Sequence, residues 1–519
     1  NHVYSDADPQ LSALIRGCNF AGVLSHGILF NNSSLNVSDS HFDNGIPGIP
    51  ANGAIGVAAS LDSDYTGTRY VQVGTTGAGC TFYDFYEGVV VGQHPKYKNI
   101  FDPANPQTVP ASYVPHDLNL NVFGNVFVNA THQAGSGAAN IRIEGLVSGR
   151  AAWLLGNTMD GFGTGVRYRS NESAMLAAAL NVLSNPRPPL WVGNYYPPNT
   201  YGFHLDYNPN GTSAFFRNEV GNVAQSHRLN GSLLDGHRHW VLAESVSDVG
   251  AGVWANTRIR PYIAFNDIRN YDGAGISLSG CINNSVLDNR LNASTFDSET
   301  MPTADDATVG ISLQASPLSY LMCNAVQRNG TGVLAAGASS GWSLLERNVL
   351  QDNFFGFELN GPNAVLGSQG NASKTGQNLW NADSWFDLSP PFIFDPVVLL
   401  SNGANGAATP FYVPPFDLQT GLAAGLNPGD PADYLTNSAA FCANCFVQNG
   451  QGSASPIDVF QTALGSSGPK ACVTGIPQLN FRRSRRNEGN RMAASASATP
   501  VDAFVADLAD SLMQRLLAD

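Results

Sequence analysis

Apolar positions recur in two short patterns from about residue 14 to about residue 380. One reads Asn-x-apolar: Asn125-Val-Phe127, Asn157-Thr-Met159, Asn218-Glu-Val220, Asn266-Asp-Ile268, Asn289-Arg-Leu291, Asn324-Ala-Val326 and Asn348-Val-Leu350. The other reads Gly-apolar-x-apolar, at Gly27, Gly88, Gly165, Gly275, Gly310 and Gly356. The two alternate along the chain. Each predicts a strand of a few residues with alternate side chains buried. Gly and Asn between them supply the sharp turns. A single pair of such strands cannot bury its apolar face, whereas stacked pairs can, which is the logic of a solenoid. Asn at a fixed place in each repeat predicts a ladder of amides, each bonded to the next. Helical periodicity is nearly absent before residue 500, and no blade-length repeat supports a propeller.

These paired patterns resemble the right-handed parallel β-helix repeat proteins, the pectate-lyase-like superfold, of the kind found in secreted bacterial surface proteins. The segment 262–278 looks like a whole coil of that family. The likeness spans roughly 70% of the chain. It implies an all-β, right-handed parallel β-helix solenoid, and leaves activity open because the superfold hosts lyases, hydrolases, adhesins and tailspikes.

The expected organisation is a solenoid over 1–380 with insertions near 94–116 and 184–212. A loop-rich C-terminal region over 381–480 follows, then a basic and Ala/Ser-rich linker over 481–499. The last segment, 500–519, has apolar residues at helical spacing (Phe504, Val505, Leu508, Leu512, Leu516) and predicts a short amphipathic α-helix. The second insertion gathers Trp191, Tyr195, Tyr196 and Tyr201 beside prolines. Such a cluster would suit sugar rings or a protein surface; folded down, it would instead cover the side of the solenoid.

Composition narrows the picture. Apolar residues make up 43% and charged residues 13%, with a net charge of −14. An acidic chain with four lysines (Lys96, Lys98, Lys374, Lys470) repels phosphate backbones, so nucleic acid is not an expected partner. No apolar run is long enough for a transmembrane helix. Gly numbers 54 and Asn about 50, both suited to frequent turns. Asn-x-Ser/Thr triplets such as those at Asn31, Asn129, Asn210 and Asn371 leave glycosylation open. Seven cysteines are too few for a disulfide scaffold. Cys18, Cys80, Cys281 and Cys323 are expected to pack as small apolar groups. Cys442 and Cys445, in a CxxC pair with Cys472 downstream, are read as a disulfide or packing pair, because the context is loop-like rather than that of a redox helix.

A catalytic set is not evident. A lyase needs a Lys or Arg base and Ca²⁺ carboxylates; a β-helical hydrolase needs facing carboxylates with a histidine. Asp305-Asp306 precedes Gly310-Ile-Ser-Leu313 without the further motifs such a hydrolase carries. Asp62-Ser-Asp64 could begin a Ca²⁺ loop, yet no other ligands are identifiable, so no cofactor or metal is assigned. His237-Arg-His239, preceded by Asp235, is the densest polar cluster; with its histidines outward, Trp240 would point inward.

The expected function is a secreted or surface-exposed, non-enzymatic structural or adhesive protein. Its expected partner is itself or another extracellular subunit, by end stacking, which repeated would give a fibre. The alternative is a polysaccharide-active enzyme, lyase or glycoside hydrolase, or a glycan-binding module on the same scaffold.

Overall fold

The computed structural model describes residues 12–366 except 24–25, 32, 45–53, 61–66, 93–116, 130–137, 171–173, 188–195, 208–210, 232–237, 257–259, 294–306, 318, 337–342, 347, 352, 354 and 361–363. Beyond these it describes the strands Leu379–Trp380, Val398–Leu400, Phe411–Val413, Phe446–Gln448 and Val459–Gln461. All of them belong to a compact unit spanning 1–475. The expected insertion at 94–116, the linker and the terminal helix lie outside the described residues, as do Cys442 and Cys445.

The described chain is all strand, without a helix. Every ladder in it is parallel. Ser12–Arg16, Asn19–Ala21 and His26–Asn31 make a first circuit; the next three strands pair with them in turn, Leu14 opposite Asn36, Phe20 opposite Phe42 and Ile28 opposite Val57. This three-strand return repeats along the chain and builds three ladders. The first is a 15-stranded sheet. The second and third are joined into one 25-stranded sheet, because in two successive circuits their strands run on as the 12-residue strands Glu219–Asn230 and Ser245–Asn256. Parallel sheets that almost close round a common interior are compatible with a parallel β-helix. Although the Asn/Gly patterns end near Trp380, Val398–Leu400 and Phe411–Val413 extend the same ladders.

Each strand turns alternate side chains inward, and the register aligns them in columns. The second residue of each second-ladder strand forms one column: Phe20, Phe42, Phe82, Phe127, Met159, Leu183, Val220, Val246, Ile268, Leu291, Val326 and Leu350. Its first four rings lie nearly parallel, with centroids 4.6, 4.7 and 4.8 Å apart. That is the spacing of adjacent strands, so stacking and backbone hydrogen bonding are satisfied together. Ile276, in the third ladder, is fully buried as its motif requires.

The corners explain the recurring residues. Asn157 donates from Nδ2 to the Val122 carbonyl (2.8 Å) and to Asn181 Oδ1 (2.9 Å), while its backbone N–H donates to the same Oδ1 (3.0 Å). Asn125, Asn181, Asn218, Asn266, Asn289, Asn324 and Asn348 occupy the equivalent corner. The amides satisfy backbone groups that a buried corner would otherwise orphan. Asn181-Val-Leu183 belongs to the same series. Its signal sits in the sequence, next to Leu180, which occupies the left-handed region at φ 56°. The glycine column has a steric cause. A Cβ on Gly165 would lie 2.4 Å from Leu183 Cδ2 and 2.7 Å from the Gly202 carbonyl oxygen, so no side chain fits there without displacement.

The cysteines divide. Cys80 and Cys281 are buried and free, and burial pushes their thiols up to about 11 and about 12. Two depart from the expectation of apolar packing. Cys18 is exposed although it holds the corner place that Ser40 and Cys80 fill, buried, in later circuits: it belongs to the first described circuit and is flanked by a described neighbour on one side alone. Cys323, at φ 58° on another corner, is disulfide-bonded, its partner lying outside the described residues.

Candidate functional site

The outward positions of the third ladder carry the densest exposed and half-buried chemistry. Arg142, Arg167, His204, Arg228 and Trp254 fall on one column across five successive circuits. Two residues further along, Glu144, Arg169, Asp206, Asn230 and Asn256 form a parallel column. Adjacent strands place these side chains about 4.8 Å apart.

At the centre, Arg228 lies between two rings, its guanidinium carbon 5.3 Å from the Tyr201 centroid and 4.9 Å from that of Trp254. It also donates to the Tyr201 hydroxyl at 3.0 Å. The Tyr201 ring in turn packs against His204, centroids 4.9 Å apart. His204 Nε2 lies 3.6 Å from Asp206 Oδ1, and Asn230 Nδ2 donates to that same oxygen at 2.8 Å. Burial works to raise the Asp206 pKa. The contacts from His204 and Asn230 and the charges of His204 and Arg167 outweigh it and hold the carboxyl at about 2. Asp206 is therefore an anion at any physiological pH, fit to accept hydrogen bonds and unfit to donate a proton.

One end of the face is a buried ion cluster. Arg142 Nε donates to Glu87 Oε1 at 2.6 Å, and its Nη1 reaches Glu144 Oε1 at 3.4 Å. Burial disfavours the guanidinium charge, but the two carboxylates more than compensate and raise its pKa. Both acids are buried and engaged with arginine, which suits a structural pairing better than proton transfer.

The aromatic residues expected as a platform separate. Trp191 and Tyr195 lie outside the described residues. Tyr201 begins the strand Tyr201–Tyr207, which lies inside the stretch expected as an insertion and adds a rung to the third ladder. Phe203 in that strand is fully buried. Tyr196 is folded onto the corner between the second and third ladders: its hydroxyl donates to Asp272 at 2.8 Å, and its ring fills the space a Cβ on Gly250 would need. Burial, then the Asp272 hydrogen bond and charge, push its pKa up to about 12. Nearby, Arg187 bridges Asn222 (3.0 Å) and Asp248 (2.7 Å). Tyr196 and Tyr201 have different partners, Asp272 and Arg228.

The histidine cluster is arranged opposite to its outward reading. His239 points inward and is fully buried, with Nδ1 3.2 Å from Ser213 Oγ, and Trp240 faces outward. His237 lies outside the described residues, as do Asp62, Asp64, Asp235, Asp305 and Asp306. A second buried histidine, His227, replaces an apolar residue in the inward column. It packs on Phe203 and Phe215. Its Nε2 lies 3.3 Å from Glu244 Oε2, both side chains fully buried. Glu244 in turn stands where the ladder has asparagine, accepting from the Asn218 backbone N–H and Nδ2 at 3.1 and 3.0 Å. The two departures from pattern meet each other: an acid on the amide column is matched by a histidine on the apolar one. Among the described residues, no group of three or more His, Cys, Asp or Glu could hold a metal ion.

Arg228, Trp254, His204, Asp206 and Asn230 were not singled out from the sequence, although a signal exists. His204, Arg228 and Trp254 occupy the variable position of the Gly-apolar-x-apolar motif and of its Ser226 variant, and Asp206 and Asn230 directly follow the motif, so stacking the motifs and reading the x column and the next outward column exposes them. Comparisons with protein-family models, curated proteins and solved structures find no match to this chain.

Proposed function

We propose that this chain is a right-handed parallel β-helix acting as a secreted or surface-exposed, non-enzymatic adhesive scaffold, and that it binds glycan on the outward face of the third ladder. The observation that carries the reading is the Tyr201–Arg228–Trp254 sandwich flanked by His204, Asp206 and Asn230. Aromatic faces suit the apolar faces of sugar rings, and fixed amide, carboxylate and guanidinium groups suit their hydroxyls. Rigid strands hold all of these groups, so little ordering entropy is lost on binding. The carboxylates of the face argue for binding rather than hydrolysis, because Asp206 stays ionised and Glu87 and Glu144 are tied to Arg142. A general acid would need a pKa raised toward neutrality. End-to-end assembly is a further element of this reading, supported by the half-buried Ala13, Ile15 and Phe20 of the first circuit.

The test is a glycan array probed with the native chain and with Trp254→Ala and Tyr201→Ala, followed by turnover assays on the glycans that bind. The expected result is binding that falls at least tenfold in both variants, with no accumulation of reducing ends or unsaturated uronates. Steady turnover would overturn the non-enzymatic reading; binding unchanged in both variants would move the site elsewhere.

A further inference from the structure

With 40 acidic residues against 26 basic ones, an arginine of this chain can readily find a carboxylate. Arg142, Arg150, Arg187 and Arg269 each hold one in an ion pair. Two half-buried arginines of the third ladder do not. Among the described residues, the Arg167 side chain has no hydrogen-bond partner and no ion pair; its Nε–H is buried without an acceptor, and its Nη groups are left open. Arg228 donates from Nη1 to the Tyr201 hydroxyl at 3.0 Å, its Nε–H is likewise buried and unmatched, and Nη2 is left open.

The two share one outward column, with His204 between them. At about 4.8 Å per strand they stand two circuits, about 10 Å, apart. Like charges stacked along a ladder repel. Arg142, directly opposite Arg167, is a third cation on the column, but Glu87 and Glu144 neutralise it. Asp206 gives the other two no such relief. Its charge and that of Arg167 are close enough to be felt, yet its Oδ1 accepts from Asn230 and faces His204. The free protein therefore carries two uncompensated guanidinium groups in a row, next to the Tyr201 and Trp254 rings. A ligand with negative groups along its length would cancel that repulsion. Guanidinium edges match the paired oxygens of a carboxylate or a sulfate. Over the rest of the surface a net charge of −14 repels such a ligand, so this column is where it can be held.

We propose that the ligand of this face is an acidic glycan, whose carboxylate or sulfate groups are taken by Arg167 and Arg228 while its rings lie against Tyr201 and Trp254. This rests on the glycan reading of the face and adds the charge of the ligand.

The experiment is isothermal titration calorimetry on the full chain with three probes of one backbone: dextran, carboxymethyl dextran and dextran sulfate. The variants are Arg167→Gln and Arg228→Gln, with Arg269→Gln as control, because its exposed guanidinium lies on the second ladder and is paired with Asp267. The native chain and the control are expected to bind one of the charged forms at least tenfold more tightly than dextran, with the preference shrinking as sodium chloride is added. Both column variants are expected to lose it with an unchanged far-ultraviolet spectrum; the form bound more tightly tells carboxylate from sulfate. Equal affinity for neutral and charged forms, or a preference kept in both column variants, overturns the acidic ligand and leaves the glycan reading standing. If none of the three polymers binds, sodium sulfate alone decides. Sulfate stabilises folded chains in general, so the measure is the rise in Tm of the native chain beyond that of Arg167→Gln. A larger rise in the native chain supports the anion column, and equal rises overturn it.

Discussion

Asp206 shows how a single side chain can be held in one charge state by its neighbours. Its folded pKa, about 2, lies below the ordinary 3.8. Its contribution to stability is therefore complete above pH 3.8 and lost as pH falls through about 2. The native chain is expected to outlast Asp206→Asn in urea at neutral pH, with the gap closing only between those two values. A gap that stays constant across that window would show that the carboxylate is not held by His204 and Asn230. At this scale the sequence was informative where geometry is most demanding. Asn157, Asn218 and their equivalents were readable because a buried corner needs an amide that both donates and accepts. Glu244 and His227 were not readable, because each breaks the pattern of its own column and only the register brings them together. Nor was the burial of His239, since a period of two states that it opposes Trp240 but not which of them faces the interior.

Among elements, the glycine that most third-ladder strands carry sets how closely successive circuits approach. Gly165→Ala places a methyl within 2.7 Å of the Gly202 carbonyl oxygen, and backbone of a neighbouring strand cannot rotate aside as a side chain can. The expected cost is about 2 kcal/mol, in the range of core overpacking, read as a lower urea midpoint; an unchanged midpoint would contradict the tight corner. The repeated strands were legible as Asn-x-apolar and Gly-apolar-x-apolar. The strand Tyr201–Tyr207 escaped notice although Gly202-Phe-His-Leu205 fits the second pattern, because the prolines and tyrosines before it read as loop. The fusion of the second and third strands in Glu219–Asn230 escaped for a different reason. No glycine marks the junction motif there, where Ser226 takes its place and donor and acceptor demands are met by the neighbouring strands.

For the whole molecule, low charge and parallel ladders have one consequence: the outward faces differ in kind while the interior repeats. The third ladder's outward face gathers Arg167, His204, Asp206 and Arg228, the first ladder's mixes Asn36, Gln72 and Asn121 with Trp153, Trp240 and Tyr262, and neither difference disturbs the stacking beneath. Fold and chemistry are thus separable, which is why a repeat legible over most of the chain left the site illegible. The stacking itself is open to direct measurement. Asn19, Thr158 and Arg290 occupy one outward column of the second ladder, four and five circuits apart, and all three are exposed. Spin labels placed in pairs at these positions, in a Cys18→Ser background, should give distances of about 19 Å for 19–158, about 24 Å for 158–290 and about 43 Å for 19–290, growing by about 4.8 Å per circuit. A 19–290 distance no longer than the other two would contradict the stack.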